Sequence, residues 1–237
     1  MPRAHRTQGA GLTHHVMARG NNRRDIFEDD HDRFSFLGMV EETRRRRDWR
    51  IHAWCLMTNH VHLLVTTEKP DLSAGLRDIL GRYARRYNHF NERTGHLFGQ
   101  RFRSVLVTSD EQYLTTVRYI NRNPVEAGLT DRPDHDAWSG YALRRSPYPP
   151  VTLDETMTLD MLHPVAAVAE RQLRELIHSD RTPHRAAAPR PAIRTLILTM
   201  GRRSGARAAA ALGYERTEIA RTLGITVRAL DWTLHRT

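Results

Sequence analysis

Hydrophobic and polar positions divide the chain into alternating short and long elements. Residues 12–20, "LTHHVMARG", read as a first strand that stops at a glycine. In "DDHDRFSFLGMVEETRRRR" the apolar Phe34, Leu37 and Val40, with Phe36 and Met39, recur at helical spacing. Aspartates at its start favour the positive end of a helix dipole, and the arginines at its end favour the negative one. "RIHAWCLM" and "HVHLLVTT" are rich in β-favouring residues and flank Thr58-Asn59, which suits a tight turn. They predict a hairpin with strands near residues 50–57 and 60–67. "DLSAGLRDILGRYARRYNHFNERTG" predicts a second long helix from Asp71 to near Asn91, its buried stripe formed by Leu72, Leu76, Ile79, Leu80 and Tyr83. "RSVLVT", residues 103–108, is a short strand. The order β-α-β-β-α-β predicts an α+β fold: a ferredoxin-like or RRM-like antiparallel sheet with helices on one face.

Further along, Ser109 is a good N-cap, and Asp110 and Glu111 suit a first turn. Tyr113, Leu114, Val117 and Ile120 continue a helical period, which Pro124 is expected to end or bend. Tyr119 and Asn123 stand at i and i+4 and so share a face of that helix. Residues 148–178 read as a helical extension, and residues 179–192, rich in Pro and Ala, as a linker. Beyond it come helix, break, helix, a second break at Gly224, and a last helix over residues 226–235. This spacing predicts a small all-α helix-turn-helix domain over residues 193–237. Arg202, Arg203, Arg207, Arg216, Arg221, Arg228 and Arg236 favour DNA binding there over a plain packing module. Residues 1–147 form the principal domain.

Composition narrows the setting. None of the 237 residues lies in an apolar run approaching the ~20 that a membrane span needs. The N-terminus lacks the apolar core of a signal peptide. The single cysteine, Cys55, excludes an intrachain disulfide and fits a reducing compartment. A cytoplasmic, nucleoid-associated protein is expected. Lys+Arg number 37 against 27 Asp+Glu, a net charge of +10, and Arg far outnumbers Lys. A GC-rich genome would enrich Arg over Lys but would not create the net charge. Guanidinium groups fork onto phosphate and stack on bases, so nucleic acid is the expected partner.

The most chemical stretch is "TNHVHLLV". Side chains alternate along a strand, so His60 and His62 share a face while Val61 points to the core. Two imidazoles on one rigid face make half of a metal site. Without further ligands they would be polar positions on a solvated face.

Together these pieces resemble the HUH single-strand nucleases, in which two histidines flank a hydrophobic residue. The likeness is narrower to the IS200-like single-tyrosine transposases, and narrowest to the REP-associated tyrosine transposases that act on bacterial repetitive palindromes. It spans about residues 12–141 and rests on "HVMARGNNRRDIF", "AWCLMTNHVHLLV", "GRYARRYNHFNERTGHLFGQRFRS", "YLTTVRYINRNPVEAGL" and "AWSGY". The resemblance implies that residues 1–147 are the catalytic domain. It implies that His60 and His62 are the metal-binding pair, Asn123 the third ligand and Tyr119 the nucleophile. It also implies a divalent cofactor, Mg²⁺ or Mn²⁺, and a 5′-phosphotyrosine with a free 3′-OH. Tyr83, Tyr87, Tyr113 and Tyr141 compete on composition alone, but Tyr83 fits a core stripe with Tyr87 one turn on, and neither has a ligand-type residue at the matching offset.

The expected partner is single-stranded hairpin DNA, with monomer and homodimer both open. Candidate DNA contacts are Arg19, Asn21, Asn22, Arg23 and Arg24 after the first strand, and Arg82, Arg85 and Arg86 on the second helix. Gln100, Arg101 and Arg103 before the last strand, and Arg228 near the C-terminus, complete the set; each is alternatively part of a solvated basic face. Two other functions fit parts of the pattern. One is a domesticated DNA-binding regulator of repetitive palindromes; the intact His60, His62, Tyr119 and Asn123 set favours the enzyme. The other is a replication-type nickase, which usually sets its tyrosine in a different context and often carries a helicase. No phosphate-binding loop of the Walker type occurs, in keeping with strand transfer that needs no ATP.

Overall fold

A computed structural model of the chain describes residues 9–99, 101–179, 206, 209–210, 215–227, 230 and 234. The chain divides into two compact units, one of residues 10–183 and one of residues 1–9 with 184–237.

In the larger unit the hairpin forms as its sequence dictates. Strands β2 (Arg50–Leu56) and β3 (His60–Thr67) pair antiparallel, and Met57 N–H donates to the His60 carbonyl at 2.8 Å to close the turn. β1 (Leu12–Arg19) lies at the centre between β3 and β4 (Arg103–Val107), giving the antiparallel order β2-β3-β1-β4. Helices α1 (Asp30–Arg47) and α2 (Leu72–Phe90) cover one face. The Asp29 side chain accepts from Asp32 N–H at 2.9 Å and starts α1. Asp48, at φ +54°, closes it in the left-handed region. Phe36, Leu37 and Val40 of α1 and Leu72, Leu76, Ile79 and Tyr83 of α2 meet Val16, Ala18, Val61, Leu63 and Val65 of the sheet. Phe34, on the same helix, remains exposed. Gly75 is a close-packing point: a Cβ there would lie 2.3 Å from the Trp49 ring.

Val61 is 1% exposed in this layer. Val61→Ala is therefore expected to lower stability by about 1–3 kcal/mol, through reduced burial and the cavity left behind. The shift in urea midpoint measures it.

The expectation of helices on one face holds for α1 and α2 but not for the next helix. α3 (Asp110–Glu126) packs on the opposite face, where Tyr113, Val117 and Ile120 meet Ala53, Cys55 and Leu64. The reason is visible in β2 and β3, which are buried on both sides and so run apolar almost without alternation. Ser109 caps α3, its hydroxyl accepting from Gln112 N–H at 3.1 Å. Pro124 does not end α3, which runs two residues further to Glu126. So late in a helix a missing N–H removes only one bond of the ladder.

The region 148–178 is not one continuous helix. After a short α4 (Gly140–Leu143) come α5 (Thr156–Leu162) and α6 (Ala166–His178). They are separated at His163, which is extended (φ −165°, ψ 143°) because Pro164 follows it. Leu173 and Ile177 of α6 join the α3 layer.

In the smaller unit α7 (Arg216–Leu223) buries Ile219, Ala220 and Leu223 and exposes Arg216 and Arg221. Gly224 ends it at φ +66°, its N–H reaching the Ala220 and Arg221 carbonyls. Arg202, Arg203, Arg207, Arg228 and Arg236, most of the expected recognition helix and nearly all of the expected linker lie outside the described residues. No helix among the described residues is long and apolar enough to cross a membrane.

Candidate active site

The face covered by α3 carries the histidines. Antiparallel register sets Arg19 opposite His60, Met17 opposite His62 and His15 opposite Leu64. His60 and His62, two residues apart on β3, hold their ring centroids 4.9 Å apart at 80°. Tyr119 descends from α3, its ring centroid 5.5 Å from that of His62 and 5.8 Å from that of His15. The expected pair and the expected tyrosine are thus neighbours, and His15 is a third imidazole between them that sequence reasoning did not single out.

Hydrogen bonds decide which nitrogens remain available. Asn59 Nδ2 donates to the Arg23 carbonyl at 3.1 Å, which turns Asn59 Oδ1 toward His60. That oxygen can only accept, so His60 Nδ1–H donates to it at 2.7 Å and leaves Nε2 with its lone pair. His62 Nδ1 lies 3.0 Å from His15 Nε2, while His62 Nε2 is buried with no partner. Asn123 Nδ2 donates to the Tyr119 carbonyl at 2.9 Å, one turn back along α3. Its Oδ1 has no hydrogen-bond partner among the described residues. Two unprotonated ring nitrogens and an amide oxygen suit a borderline divalent cation. Among the described residues no group of three or more His, Cys, Asp and Glu side chains is gathered for a metal.

Arginines fix the rotation of α3. Arg118 and Arg122 form one row of the helix and donate to the Ser179 and Ile177 carbonyls, at 2.7 and 3.2 Å, at the end of α6. Cationic donors satisfy carbonyls that a helix C-terminus leaves open. Tyr119 and Asn123 lie about 100° further round, in the next row. Fastening one row to α6 therefore aims the other at the sheet.

Burial keeps the imidazoles neutral. It lowers His60 to about 4, with Arg19 adding to the effect, and His15 to about 4, with Arg103 adding. Burial pushes His62 well below the usual value, assisted by His15, His60 and Arg19. His14, on the opposite face and without a hydrogen bond, is also lowered by burial to about 4. Between the ordinary 6.5 and about 4 the unfolded chain binds protons that these folded groups refuse. Stability therefore rises with pH across that window and is lost as pH falls through it. Urea midpoints at pH 7, 5.5 and 4.5 should decline in that order; a flat profile contradicts neutral, buried histidines.

The competing tyrosines have structural occupations. Tyr83 donates to the Ile26 carbonyl and Tyr87 to Glu28, both in the α1–α2 layer. Burial pushes the Tyr83 phenol upward and that of Tyr87 to about 12. Tyr113 shares a 2.9 Å hydrogen bond with Thr158, and burial raises it too. Tyr141 is raised by burial and stacks edge-on with His178. Tyr119 alone among these five stands against the histidines, 40% exposed.

The basic candidates separate into two groups. Arg19 and Arg103 leave the sheet on the histidine face, since Met17 pairs with both His62 and Arg103. The turn at Asn21–Arg23 is tied to the neighbouring loop by Asn21 N–H to the Leu97 carbonyl at 2.8 Å. Asn22 and Arg23 adopt positive φ, 51° and 61°. Asn22 and Arg23 are exposed, as is Arg101, and Arg24 is half-buried. Arg82 and Arg86 lie elsewhere, on α2, where Arg82 pairs with Glu42 and Asp78 and Arg86 with Asp32. Arg85 is exposed on the same helix. Gln100 and Arg228 lie outside the described residues.

Residues 9–123 match the model of the family described as "Transposase IS200 like". A solved REP-associated tyrosine transposase bound to a REP hairpin is 22% identical with a TM-score of 0.52, over 65% of this chain and 92% of that one. The likeness is one of fold. A protein from Deinococcus radiodurans assigned as a transposase aligns at 17% identity over 51% of this chain and 97% of its own, with a TM-score of 0.35, too distant to carry an argument. No curated protein matches the chain.

Proposed function

We propose, from the match of residues 9–123 to the IS200-like transposase family, that the chain is a transposase of that kind and cleaves and rejoins single-stranded hairpin DNA of the REP type through Tyr119. The observation that carries this reading is the meeting of Tyr119 with His62, which stands beside His60 and keeps a buried, unpartnered Nε2. His60 Nε2, His62 Nε2 and Asn123 Oδ1 would hold the cation, Mg²⁺ or Mn²⁺. When bound, it supplies charge neutralisation and alignment for a scissile phosphate.

The protein's own groups do the rest. The Tyr119 phenol gives up its proton and its oxygen forms a bond to phosphorus. The bond from phosphorus to the 3′-oxygen breaks, and that oxygen takes a proton to become a free 3′-OH. The energy of the broken ester is kept in the phosphotyrosine, so attack by another 3′-OH rejoins the strand. Arg19 and Arg103, near the histidines, are suited to carry the flanking phosphates. A hairpin matches this chemistry because it offers a shape to grip and an unpaired strand to cut. The fold likeness to a REP-associated relative supports REP-type palindromes as the first class to test.

A REP-type hairpin labelled at its 3′ end and incubated with Mg²⁺ or Mn²⁺ should give a slowly migrating, protein-linked band on a denaturing gel. Its fully duplex counterpart should not. Tight binding without cleavage under either metal would instead favour the regulator reading.

The C-terminal arginines are proposed to add affinity rather than chemistry. A chain ending at Ser179 should still cleave, since His60, His62, Tyr119 and Asn123 precede it, but bind more weakly. Its plot of log affinity against log salt should be shallower by about 0.7–0.9 for each phosphate that it no longer neutralises. Identical slopes for the two chains would mean that the C-terminal unit does not touch DNA.

A further inference from the structure

His15 belongs to no role assigned so far, yet among the described residues it makes the one polar contact of the most buried histidine in the site. It sits on β1, the central strand, opposite Leu64 on one side and Val105 on the other, so its backbone is held by both neighbours. Its ring stacks on His62 with centroids 5.2 Å apart at 29°, and its Nε2 is 3.0 Å from His62 Nδ1. We propose that His15 is a positioning residue for a divalent-cation site: it accepts the Nδ1–H of His62 and so fixes His62 in the tautomer whose Nε2 lone pair faces the site.

Hydrogen-bond accounting decides between the two tautomers. One proton must lie between the two facing nitrogens. If His15 donated it, His62 would carry its own proton on Nε2, and that N–H would be buried with no acceptor. A stranded donor is the costly kind of orphan. If His62 donates, the orphan becomes a bare lone pair, which a cation can use. His60 reaches the same result through a different partner, Asn59, whose oxygen leaves no choice of donor. Both imidazoles then present Nε2, each with its Nδ1–H engaged. Outer partners of this kind orient ligands and fix their tautomers. His15 also meets the Tyr119 ring edge-on at 5.8 Å, so the same side chain limits where the tyrosine ring can stand.

The role as a metal-site residue rests on the proposed function, and the test keeps the two apart. In the full-length, metal-free protein, long-range ¹H–¹⁵N spectra report which nitrogen of His62 is protonated. The proposal requires Nδ1–H; a protonated Nε2 with bare Nδ1 overturns it. Mn²⁺ binding is then followed by the decrease of the free-ion EPR signal, without reference to cleavage. His15→Ala should weaken Mn²⁺ binding about 10- to 100-fold. His15→Gln, whose Oε1 can accept at nearly the place of Nε2, should restore most of it. Unchanged affinity in a folded His15→Ala, or no rescue by His15→Gln, overturns the positioning role. Should the unaltered protein itself bind no Mn²⁺ while His62 is Nδ1-protonated, the hydrogen bond stands and the metal reading falls.

Discussion

Tyr119→Phe should abolish cleavage of a hairpin-bearing strand while leaving its binding intact. The substitution removes one hydroxyl and keeps the ring that meets His62 and His15. The Tyr119 side chain is partly exposed and makes no hydrogen bond among the described residues, so stability should change by no more than about 0.5 kcal/mol. Loss of a nucleophile has no substitute among the neighbouring groups: Tyr83, Tyr87 and Tyr113 are bonded elsewhere and pushed away from ionisation by burial. A fall in cleavage rate of at least about 10⁴-fold is expected, the scale seen when a nucleophile is removed from other hydrolases. A protein–DNA adduct that survives in Tyr119→Phe would sink the assignment.

His60→Ala and His62→Ala should each lose cleavage and Mn²⁺ binding together, and EDTA should reproduce the loss in the unaltered protein. Each substitution removes one of the two ring nitrogens of the proposed site, which would be left with the other imidazole and the Asn123 amide oxygen. The effect should exceed the about 10- to 100-fold typical of outer residues that only orient a ligand. The two variants differ in a second respect. His62 is 2% exposed, so His62→Ala also leaves a cavity and should lower stability, whereas half-buried His60 should cost less. His60→Ala is therefore the cleaner probe of metal binding, and urea titration separates the two effects. Full metal-dependent cleavage by His62→Ala would exclude the pair as ligands.

Much of the fold, and the nearness of Tyr119 to the His60–His62 pair, was legible in the sequence. Strand and helix positions followed from periodicity, and the turn at Thr58-Asn59 put His60, Val61 and His62 where alternation requires. The placing of Tyr119 and Asn123 on one face of α3 followed from their i, i+4 spacing. What was not legible depended on contacts between distant segments. The second helical layer was not foreseen because the fold was read from the two helices between the strands, although "HLLV" and "AWCLM" carry the continuous apolar character of strands covered twice. His15 escaped notice because "THHV" offers two adjacent histidines on opposite faces, and only pairing with β3 tells which one meets His62. The role of Arg118 and Arg122 was not legible because the carbonyls that accept from them lie at the end of α6. The ion pairs of Arg82 and Arg86 were not legible because their carboxylate partners, Glu42 and Asp32, lie on another helix.

The proposed reaction stands or falls on Tyr119 forming the covalent link to DNA. This is read most directly by mass spectrometry of the protein after reaction with a REP-type hairpin and Mg²⁺ or Mn²⁺, followed by nuclease and protease digestion. A 5′-phosphonucleotide is expected on the peptide containing Tyr119, absent without metal. A nucleotide attached to Tyr83, Tyr87, Tyr113 or Tyr141, or strand cleavage with no nucleotide on the protein, would contradict it.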